Sequence, residues 1–386
     1  MKNIHRNKLK IGFVLDDSLD QTDGVQQYIL TLGQRFKHLG HEVHFLVGHT
    51  SRNDIANVHS LSKNLRVNFN HNSLSTPLPV PRSKIKRLLT DSKFDILHVQ
   101  LPYSPLLAGR VINLAPASTL VVGTFHIYPY SVFVAKMTGV LAKIAKKSLR
   151  NIDLLLSVSK PARDFAIESI GMNSHVLPNV VNTRRFKGAK PLKSFDDGKI
   201  NIVYLGRLVA RKGCFQFLKA ITILHQRKQL AGTRVIIAGK GKLRLKIENY
   251  IKKYNLEDFV HVVGYVSEDI KPNLLASADI TVFPSIGGES FGIVLIEAMA
   301  SGRSVIIAGD NIGYASVLKS CKKQLIDPMK AKKFADRLFY FISNEKARQE
   351  AIERQSSQIG QYDVNLVGEK LLKYYQNALI NKQRVR

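Results

Sequence analysis

Two glutamates, Glu289 and Glu297, flank an apolar run in the segment GGESFGIVLIEAMASG, which spans residues 287–302. Its apolar residues recur on one helical face and Gly302 follows them, so the pattern predicts a helix over about 291–300. Glu289 then lies just before the helix, and Glu297 lies two turns inside it. A carboxylate accepts hydrogen bonds and suits vicinal hydroxyls. The alternative is a helix cap and a solvated glutamate.

The start of this predicted helix supplies backbone donors. The amides of Phe291, Gly292 and Ile293 have no acceptor within the helix and would point at a ligand. Gly287 and Gly288 precede them and let the backbone pass close to that ligand. Such a helix end attracts a phosphate group.

Two cations follow a predicted strand in the segment YLGRLVARKG, namely Arg207 and Lys212. At the carboxyl end of a strand they suit a diphosphate, because Arg binds it in two-pronged fashion and Lys acts as a compact point charge. Each could equally be a solvated surface cation. The later segment AGKGK has Gly239 and Gly241 but no third glycine in register, so the dinucleotide-binding fingerprint is incomplete.

The N-terminal half offers two further candidates. Gly24, in TDGVQ, opens a predicted helix after the first strand and permits close approach of a ligand. His126, in VVGTFH, follows the end of a strand and is either reactive or simply packed. The chain has no Asp-X-Asp pair, so a leaving group stabilised by Lys and Arg rather than by a metal ion fits better.

These residues depend on elements that bring them together. In both halves, short apolar segments alternate with helical patterns, which predicts parallel sheets covered on both faces. The predicted strands are 9–15, 44–47, 95–99, 120–124, 154–158, 200–205, 234–238, 260–263, 280–283 and 304–308. The main predicted helices are 25–39, 214–226, 243–254, 270–276 and 291–300.

The alternation lapses over residues 177–198, which predicts a linker between two domains. We therefore expect an α/β protein of two doubly wound, Rossmann-like domains, divided at about residue 185. Ligands of such sheets bind beyond the carboxyl ends of the strands, so two facing domains would share a cleft there.

Composition excludes several classes of protein. Of the 386 residues, 45% are hydrophobic and 23% charged, as in a soluble globular protein. The apolar run at 11–15 is too short for a signal peptide, and no stretch is long enough to span a membrane, so we expect a cytosolic protein. Cys214 and Cys321 indicate neither a disulfide framework nor a zinc site.

The charge is unusual, because 58 Lys and Arg against 29 Asp and Glu leave a net charge of +29. Such a field favours polyanions, although solubility alone could explain it. Basic residues beside apolar ones indicate a patch for an anionic membrane surface, with a solvated helix face as the alternative. The predicted membrane-binding residues are Arg82, Lys84, Lys86 and Arg87 in one basic segment and Lys136, Lys143, Lys147 and Arg150 in another. The last four fall within roughly 60° of one another on the wheel of a single predicted helix. No nucleic-acid motif occurs, so nucleic acid is not expected as a partner.

The chain resembles the family 4 retaining glycosyltransferases, which have the GT-B fold of two Rossmann-like domains. The resemblance rests on the E-x7-E element at Glu289 and Glu297 and on GR…RKG at 206–213. Within that family, GGESFGIVL…EAMA and the TFH that ends at His126 are similar to the phosphatidylinositol mannosyltransferases. The tail from 361 to 386 resembles the terminal helix that crosses back onto the first domain.

The resemblance implies roles for the second half of the chain, at matching positions only. Glu289 would hold hydroxyls of the donor sugar and Glu297 the ribose, while Arg207 and Lys212 would bind the diphosphate. The segment GYVSEDIKP would bind the base through the residues Val266, Glu268 and Lys271. A carboxylate at Glu268 would favour guanine, which points to GDP-mannose. Residues 186–360 would thus form the nucleotide-sugar-binding domain.

In the first half, the resemblance implies that residues 1–185 bind the acceptor, that Gly24 closes over the diphosphate and that His126 faces the sugar. Two departures from the family pattern occur, Asp23-Gly24 in place of Gly-Gly and PNVVN at 178–182 in place of PNGVD.

The implied activity is retaining, metal-independent transfer of a hexose, with mannose from GDP-mannose favoured, to a hydroxyl acceptor. A membrane lipid such as phosphatidylinositol is one such acceptor, and the protein would then sit peripherally on the inner face of the plasma membrane. The alternatives are a UDP-sugar-dependent transferase acting on a soluble or cell-envelope polysaccharide, a glycoside hydrolase that uses the two glutamates, and a polyanion-binding protein.

Overall fold

The computed structural model describes residues 8–20, 23–69 and 72–384 of the chain, which divides into two units. The first unit runs to Val180 and resumes at Val364, and the second is Val181–Asp363. The divisions predicted from the sequence fall after residues 185 and 360. Residues 1–7, which belong to the segment considered for a signal peptide, lie outside the described residues.

Apart from a run of four strands early in the first unit, strands alternate with helices along both units, as in parallel sheets that are covered on both faces. In chain order, the strands of the described residues are β1 (Lys10–Leu15), β2 (Glu42–Val47), β3 (Val58–Ser60), β4 (Asn64–Phe69), β5 (Asn72–Pro77), β6 (Ile96–Gln100), β7 (Leu120–Phe125), β8 (Leu154–Ser157), β9 (His175–Val176), β10 (Ile200–Leu205), β11 (Thr233–Ala238), β12 (Val260–Gly264), β13 (Ile280–Phe283), β14 (Val305–Gly309) and β15 (Leu325–Ile326).

The helices cover the two faces of these sheets. In chain order they are α1 (Gly24–His38), α2 (Arg82–Ser92), α3 (Leu107–Leu114), α4 (Val132–Ile144), α5 (Lys146–Leu149), α6 (Lys160–Ile170), α7 (Thr183–Lys187), α8 (Cys214–Gln226), α9 (Arg244–Lys253), α10 (Lys271–Ala276), α11 (Ile293–Ser301), α12 (Ile312–Val317), α13 (Ala331–Ser343), α14 (Glu345–Ser356) and α15 (Val364–Arg384).

The first unit contains a parallel sheet of strand order β3-β2-β1-β6-β7-β8-β9. Ile11, Phe13 and Leu15 point to one face of β1 and are buried with residues of α1 and α15. Val14 points to the other face, where it packs in a second core with residues of α2 and α3. Strands β4 and β5 pair with each other as an antiparallel hairpin outside this sheet.

The second unit contains a parallel sheet of order β12-β11-β10-β13-β14-β15. From β10 the chain first adds strands on one side and then returns to add β13 on the other, so the order reverses between β10 and β13. Doubly wound sheets bind their ligands beyond the carboxyl ends of the strands at such a point. The predicted class, two doubly wound Rossmann-like domains, is confirmed.

The structure differs from the prediction in segment 177–198 and in the basic segment that begins at Lys136. Segment 177–198 was predicted as an irregular linker, but it contains the short helix α7, whose start is capped by the side chain of Asn182 accepting from the amide of Arg185 at 3.3 Å. The basic helix at 136–150 was treated as continuous, but α4 ends at Ile144 and Ala145 separates it from α5. The helical wheel therefore does not relate Lys136 to residues beyond Ala145.

The last helix, α15, belongs to the first unit. Val367, Leu371 and Tyr375 are fully buried in the core that α15 shares with β1 and α1. The Tyr375 hydroxyl also makes a 2.6 Å hydrogen bond with Nδ1 of His98, which lies in β6. A segment from the end of the chain thus completes the core of a unit built from its beginning.

Replacing Leu371 with Ala tests this dependence. We expect the substitution to lower the free energy of unfolding of the first unit by roughly 2–5 kcal/mol, because it removes buried methyl groups and leaves a cavity. Urea unfolding measures the change, with Lys370→Ala at the neighbouring exposed position as the control. A loss below about 1 kcal/mol for the Leu371 variant would contradict the packing described.

Candidate functional site

Two loops of the second unit emerge side by side at the point where the strand order reverses. One follows β10 and the other follows β13, and the two strands are paired neighbours in the sheet. Gly213 in the first loop has φ of 74°, and a Cβ there would lie 1.9 Å from the carbonyl oxygen of Pro284 in the second. Only glycine permits this close approach, which holds the loops against each other.

Glu289 joins these loops through one carboxylate oxygen. Its Oε1 accepts hydrogen bonds from Lys212 Nζ at 2.8 Å, from the Arg211 guanidinium at 2.5 Å and from the Ser285 hydroxyl at 2.6 Å. The side chains of Arg211 and Glu289 are 5% and 11% exposed, and that of Lys212 is 18% exposed. The result is a largely desolvated carboxylate that holds two cations, which we call the Glu289 cluster (Arg211, Lys212, Ser285 and Glu289).

The charges of the Glu289 cluster depend on one another. Burial by itself would raise the pKa of Glu289, but Lys212 and then Arg211 outweigh it and lower this pKa to about 2. Burial lowers the pKa of Lys212, Glu289 opposes that effect, and the nearby charges of Arg211 and Arg207 lower it further. The predicted cation Arg207 therefore lies close enough to act on this cluster electrostatically.

Arg211 was not predicted from the sequence, where the neighbouring Lys212 was assigned to a diphosphate. Its guanidinium also donates to the carbonyl oxygen of Gly287 at 3.3 Å, so it braces the loop that carries Glu289. The signal that could have identified it was its place in the same RKG triplet.

The start of α11 lies beside the Glu289 cluster. The helix begins at Ile293, with Gly292 as its N-cap at φ of 107°, where a Cβ would lie 2.5 Å from the ring of Tyr314. Phe291 is buried and packs edge-on against Tyr362, with 5.5 Å between ring centroids. The helix therefore starts two residues later than predicted, and Phe291 anchors the turn before it.

A second cluster surrounds Lys271, the first residue of α10. Its Nζ lies 2.5 Å from Oε1 of Glu297 and 2.7 Å from Oε2 of Glu268. Burial opposes the charge on Lys271, but Glu297 and then Glu268 outweigh it and raise the pKa of this lysine. We call Lys271, Glu268 and Glu297 the Lys271 cluster. Val266 precedes it on the same loop and is partly buried against the core.

Glu297 is 4% exposed, so the predicted alternative of a solvated glutamate is wrong. Burial raises its pKa, and Lys271 partly offsets this. Among the described residues, its second oxygen, Oε2, has no hydrogen-bond partner. A buried carboxylate oxygen without a donor fits a ligand hydroxyl.

Arg185, on α7, is a further residue that was not predicted from the sequence. Its guanidinium donates to the backbone carbonyl of Glu268 and lies 3.9 Å from the carboxylate of Asp269. It thus holds the loop that leads into the Lys271 cluster. It lies in the segment predicted as a linker, where no local pattern signals such a contact.

In the first unit, His126 follows β7, and its Nε2 lies 2.8 Å from Oε1 of Gln100. Because the Gln100 amide donates to the carbonyl of His98 at 3.2 Å, Oε1 is the acceptor and Nε2 of His126 carries the proton. Burial lowers the pKa of His126 to about 3, so the ring is neutral at pH 7. The ring packs edge-on against Tyr28, with 5.2 Å between centroids.

Gly24 opens α1 after the loop that follows β1, and Asp23 is the N-cap in an extended conformation. At the other end of that loop, Asp16 accepts hydrogen bonds from the Ala108 amide at 2.7 Å and from the Ser104 hydroxyl. Burial raises the pKa of Asp16 to about 6. Asp16, which was not among the predicted site residues, ties β1 to the start of α3.

The predicted membrane-binding residues are exposed. On α2, Lys84 donates to the carbonyl of Leu61 at 2.8 Å and Arg87 lies 3.6 Å from Asp91, while Arg82 and Lys86 flank them. Because α4 ends before Ala145, the other four residues do not share one helix. They are Lys136 and Lys143 on α4, Lys147 on α5 and Arg150 after it.

Comparisons with known proteins place both halves of the chain. Residues 22–185 match the family model described as glycosyltransferase family 4, and residues 189–358 match that of glycosyl transferases group 1. A phosphatidyl-myo-inositol mannosyltransferase of Mycolicibacterium smegmatis is 28% identical over 377 residues, which are 96% of this chain and 94% of that protein. A phosphatidyl-myo-inositol mannosyltransferase of Propionibacterium freudenreichii is 26% identical over 310 residues, which are 78% of this chain and 77% of that protein.

Solved structures of other proteins have a similar fold. A glycosyltransferase from Rickettsia africae ESF-5 is similar with a TM-score of 0.74 at 17% identity, covering 97% of this chain and 99% of that one. HepE of Anabaena, in complex with UDP, is similar with a TM-score of 0.75 at 14% identity, covering 96% and 100%. These likenesses extend over nearly the whole chain and concern the fold, and the predicted fold class, the GT-B type with two Rossmann-like domains, is confirmed.

Replacing Glu289 with Gln tests the electrostatics of the Glu289 cluster. At pH 7 we expect a loss of roughly 3–5 kcal/mol in unfolding free energy, because two buried cations lose their counter-charge. The pKa of about 2 in the folded chain lies below the ordinary 4.5, so this stabilisation is complete above about pH 4.5 and fades as the pH falls toward 2. The difference in unfolding free energy between wild type and variant should therefore become smaller as the pH falls from about 4.5 toward 2, and urea unfolding measures it.

The control is Glu257→Gln, which changes an exposed glutamate in the same unit. It should leave stability nearly unchanged at both ends of the pH range. If the difference in unfolding free energy between wild type and Glu289→Gln stays constant from pH 7 to pH 2.5, the carboxylate is not ionised among its cations.

Proposed function

The chain belongs to glycosyltransferase family 4, with a group 1 domain in its second half, and from this premise we propose that it transfers a hexose from a nucleoside diphosphate sugar to a hydroxyl acceptor with retention of configuration. The observation that carries the proposal is the Glu289 cluster. It places Lys212, Arg211 and a carboxylate at the switch point of a nucleotide-binding type of sheet.

The leaving group of such a reaction is a nucleoside diphosphate, on which negative charge develops as the bond to the sugar breaks. Lys212 and Arg207 would bind its oxygens, and the amides at the start of α11 would add backbone donors. Because the cations are already held by Glu289 and by the close contact of the two loops, little reorganisation is needed when the diphosphate binds. Cationic side chains do here what a metal ion does elsewhere, so we propose a metal-independent transfer.

Glu289 would hold hydroxyl groups of the donor sugar. With its pKa lowered to about 2 by the cations that outweigh its burial, it is an ionised acceptor and not a proton donor at neutral pH. In the predicted alternative, a glycoside hydrolase that uses the two glutamates as its carboxylate pair, Glu289 could therefore not be the proton donor, which needs a carboxyl group of raised pKa. The neutral His126 could exchange hydrogen bonds with a sugar but would contribute no positive charge.

The ribose and the base would lie against the Lys271 cluster. Glu297 Oε2 would accept from a ribose hydroxyl, which satisfies the buried oxygen. Glu268 would face the base, and its carboxylate favours guanine, so the preferred donor is GDP-mannose. The relatives named as mannosyltransferases support this choice of sugar.

A specific observation favours a UDP-sugar as a second candidate donor. The Glu268 carboxylate is 2.7 Å from Lys271, so it is already paired and has less need of the donors on guanine. The similar Anabaena structure holds UDP. The two candidates differ in a single measurable property, which is the base that stabilises the protein.

The acceptor that we propose is a membrane lipid such as phosphatidylinositol, with the first unit at the membrane surface. No helix in the described part of the chain is long and apolar enough to cross a bilayer. Helix α4 nevertheless exposes large apolar side chains next to its cations: Phe133 is 71% exposed and Ile144 is 64% exposed. An exposed apolar stripe flanked by lysines suits insertion at an anionic interface. We therefore propose that the protein binds peripherally to the inner face of the plasma membrane.

Turnover tests the proposal directly. With GDP-mannose and vesicles containing phosphatidylinositol, we expect release of GDP together with a mannosylated lipid whose new linkage keeps the donor's anomeric configuration. Lys212→Ala should lower kcat/KM by a factor on the order of 100, because it removes a charged donor to the leaving group. Lys219→Ala, at an exposed position on α8, is the matched control.

A parallel thermal-shift panel of GDP-, UDP- and ADP-sugars identifies the base. Stabilisation by UDP-sugars alone would make the assignment of Glu268 wrong while leaving the diphosphate site intact. Sugar release from a glycoside without any nucleotide would indicate a hydrolase, and tight, salt-dependent RNA binding without turnover would indicate a polyanion-binding protein.

Vesicle binding tests the membrane surface. Phe133→Asp and Ile144→Asp should each weaken binding to vesicles that contain phosphatidylglycerol by at least about tenfold, because they remove inserted apolar area and add a repelled charge. Leu245→Asp is the matched control, since Leu245 is 74% exposed but lies in the second unit. Equal weakening by all three substitutions would contradict a specific role for α4.

A further inference from the structure

A cavity of about 890 Å³ lies in the first unit at the amino ends of β7 and β8, against α15. Its size is within the range of small-molecule sites. His126, on the predicted acceptor side, follows the carboxyl end of β7, and a strand of six residues such as β7 spans about 20 Å. The cavity is therefore separate from the acceptor side. It is also separate from the donor site, because all of its lining residues belong to the first unit.

Helix α15 presents a row of polar side chains to the cavity. Tyr374, Asn377 and Asn381 line it at intervals of three and four residues, so they lie on one helical face. Leu371 and Tyr375, on the neighbouring face, are fully buried in the core and fix the helix in place. Asn377 and Asn381 are exposed, so their amides are accessible to a ligand.

Two further asparagines line the same cavity from other parts of the chain. Asn113 lies at the end of α3 and Asn151 lies after α5, and Asn151 Nδ2 donates to Asn113 Oδ1 at 3.2 Å. This bond orients both side chains and leaves the Asn151 oxygen and the Asn113 amide hydrogens to other partners. An Asn side chain carries an acceptor next to two donors, which is complementary to a pair of adjacent sugar hydroxyls.

An aromatic pair lies beside these amides. The rings of His175 and Tyr374 are 5.2 Å apart between centroids, with 35° between their planes, and both residues line the cavity. His175 is exposed and Tyr374 is partly buried. The face of an aromatic ring is apolar and electron-rich, so it packs well against the C–H groups of a sugar ring. Amides next to an aromatic face thus match both surfaces of a hexose.

The charges of the cavity largely cancel, although the chain carries a net charge of +29. Lys382 Nζ lies 2.5 Å from the carboxylate of Asp153 and donates to the carbonyl of Thr119 at 2.8 Å, and Asp153 also accepts from the amide of Val121 at 2.8 Å. Arg150 is the only other Lys, Arg, Asp or Glu among the lining residues that the structure describes. Because the ion pair is satisfied by the protein itself, the cavity suits an uncharged polar ligand better than a polyanion.

We propose that this cavity binds an uncharged oligosaccharide, with one sugar ring against His175 and Tyr374 and the hydroxyls of neighbouring sugars on the four asparagines. The inference goes beyond the proposed function, which assigns sites only to the donor and the acceptor. A glycan bound at the amino ends of the strands leaves their carboxyl ends open. The enzyme therefore holds one carbohydrate chain while another substrate reacts.

Titration with mannotriose, in the absence of any nucleotide sugar, tests the proposal. Saturation-transfer NMR detects the contact and calorimetry measures affinity and stoichiometry. We expect one trisaccharide per wild-type chain. Asn377→Ala and Asn381→Ala should each weaken binding by about fivefold, and together by at least about tenfold, because each removes hydrogen bonds to the ligand. Alanine favours a helix, so these variants should keep the melting temperature of wild type. The matched control is Asn249→Ala, at an exposed position of α9 in the second unit.

Substitutions of His175 test the aromatic contact. His175→Ala should weaken mannotriose binding by about fivefold, whereas His175→Phe, which keeps an aromatic face, should stay within about twofold of wild type. Equal affinity of His175→Ala and wild type would contradict the proposed position of the sugar ring.

Other outcomes would overturn the proposal as a whole. These are the absence of binding at millimolar mannotriose, equal affinity of wild type and Asn377→Ala/Asn381→Ala, and an equal loss from Asn249→Ala. Tighter binding of inorganic phosphate than of mannotriose, lost in Arg150→Gln, would assign the cavity to an anion instead. Because no donor is present, these results do not depend on whether the chain transfers a sugar.

Discussion

The ionised carboxylate of Glu289, held with little water between Lys212 and Arg211, is the interaction on which the donor site depends. An uncompensated charge at such a depth would be costly, so each of the three groups is stable there because the others are present. Their mutual attraction fixes two loops from distant parts of the chain in one arrangement. It also leaves cations pre-positioned for an anionic ligand without prior reorganisation.

Sheet topology brings these groups together. Because β10 and β13 are neighbours although β11 and β12 intervene in the chain, the loops that follow them share one edge of the sheet. Gly213 lets those loops touch, and Phe291 and Gly292 set where α11 begins. The Lys271 cluster extends the same edge, with Arg185 holding its loop. The catalytic proposal therefore rests on the fold of the second unit.

Local sequence patterns predicted secondary structure correctly where a residue's conformation follows from its neighbours in the chain. Strands 200–205 and 280–283 and helix 214–226 match the structure, because apolar runs between turn residues leave little choice. The contact between Arg211 and Glu289 could not be predicted in this way, because the two residues are 78 positions apart and their hydrogen bond exists only after the sheet has formed. The break at Ala145 was not predicted either, because the local pattern of apolar and basic residues continues through it.

Calorimetric titration of the protein with GDP and with UDP tests the central claim most directly, because it measures the diphosphate site without requiring an acceptor. The account predicts that one of them binds to one site per chain and that Lys212→Ala weakens that binding by about 10- to 100-fold, the value of a charge-assisted hydrogen bond. If neither nucleotide binds, or if Lys212→Ala binds as tightly as wild type, the Glu289 cluster is not a diphosphate site.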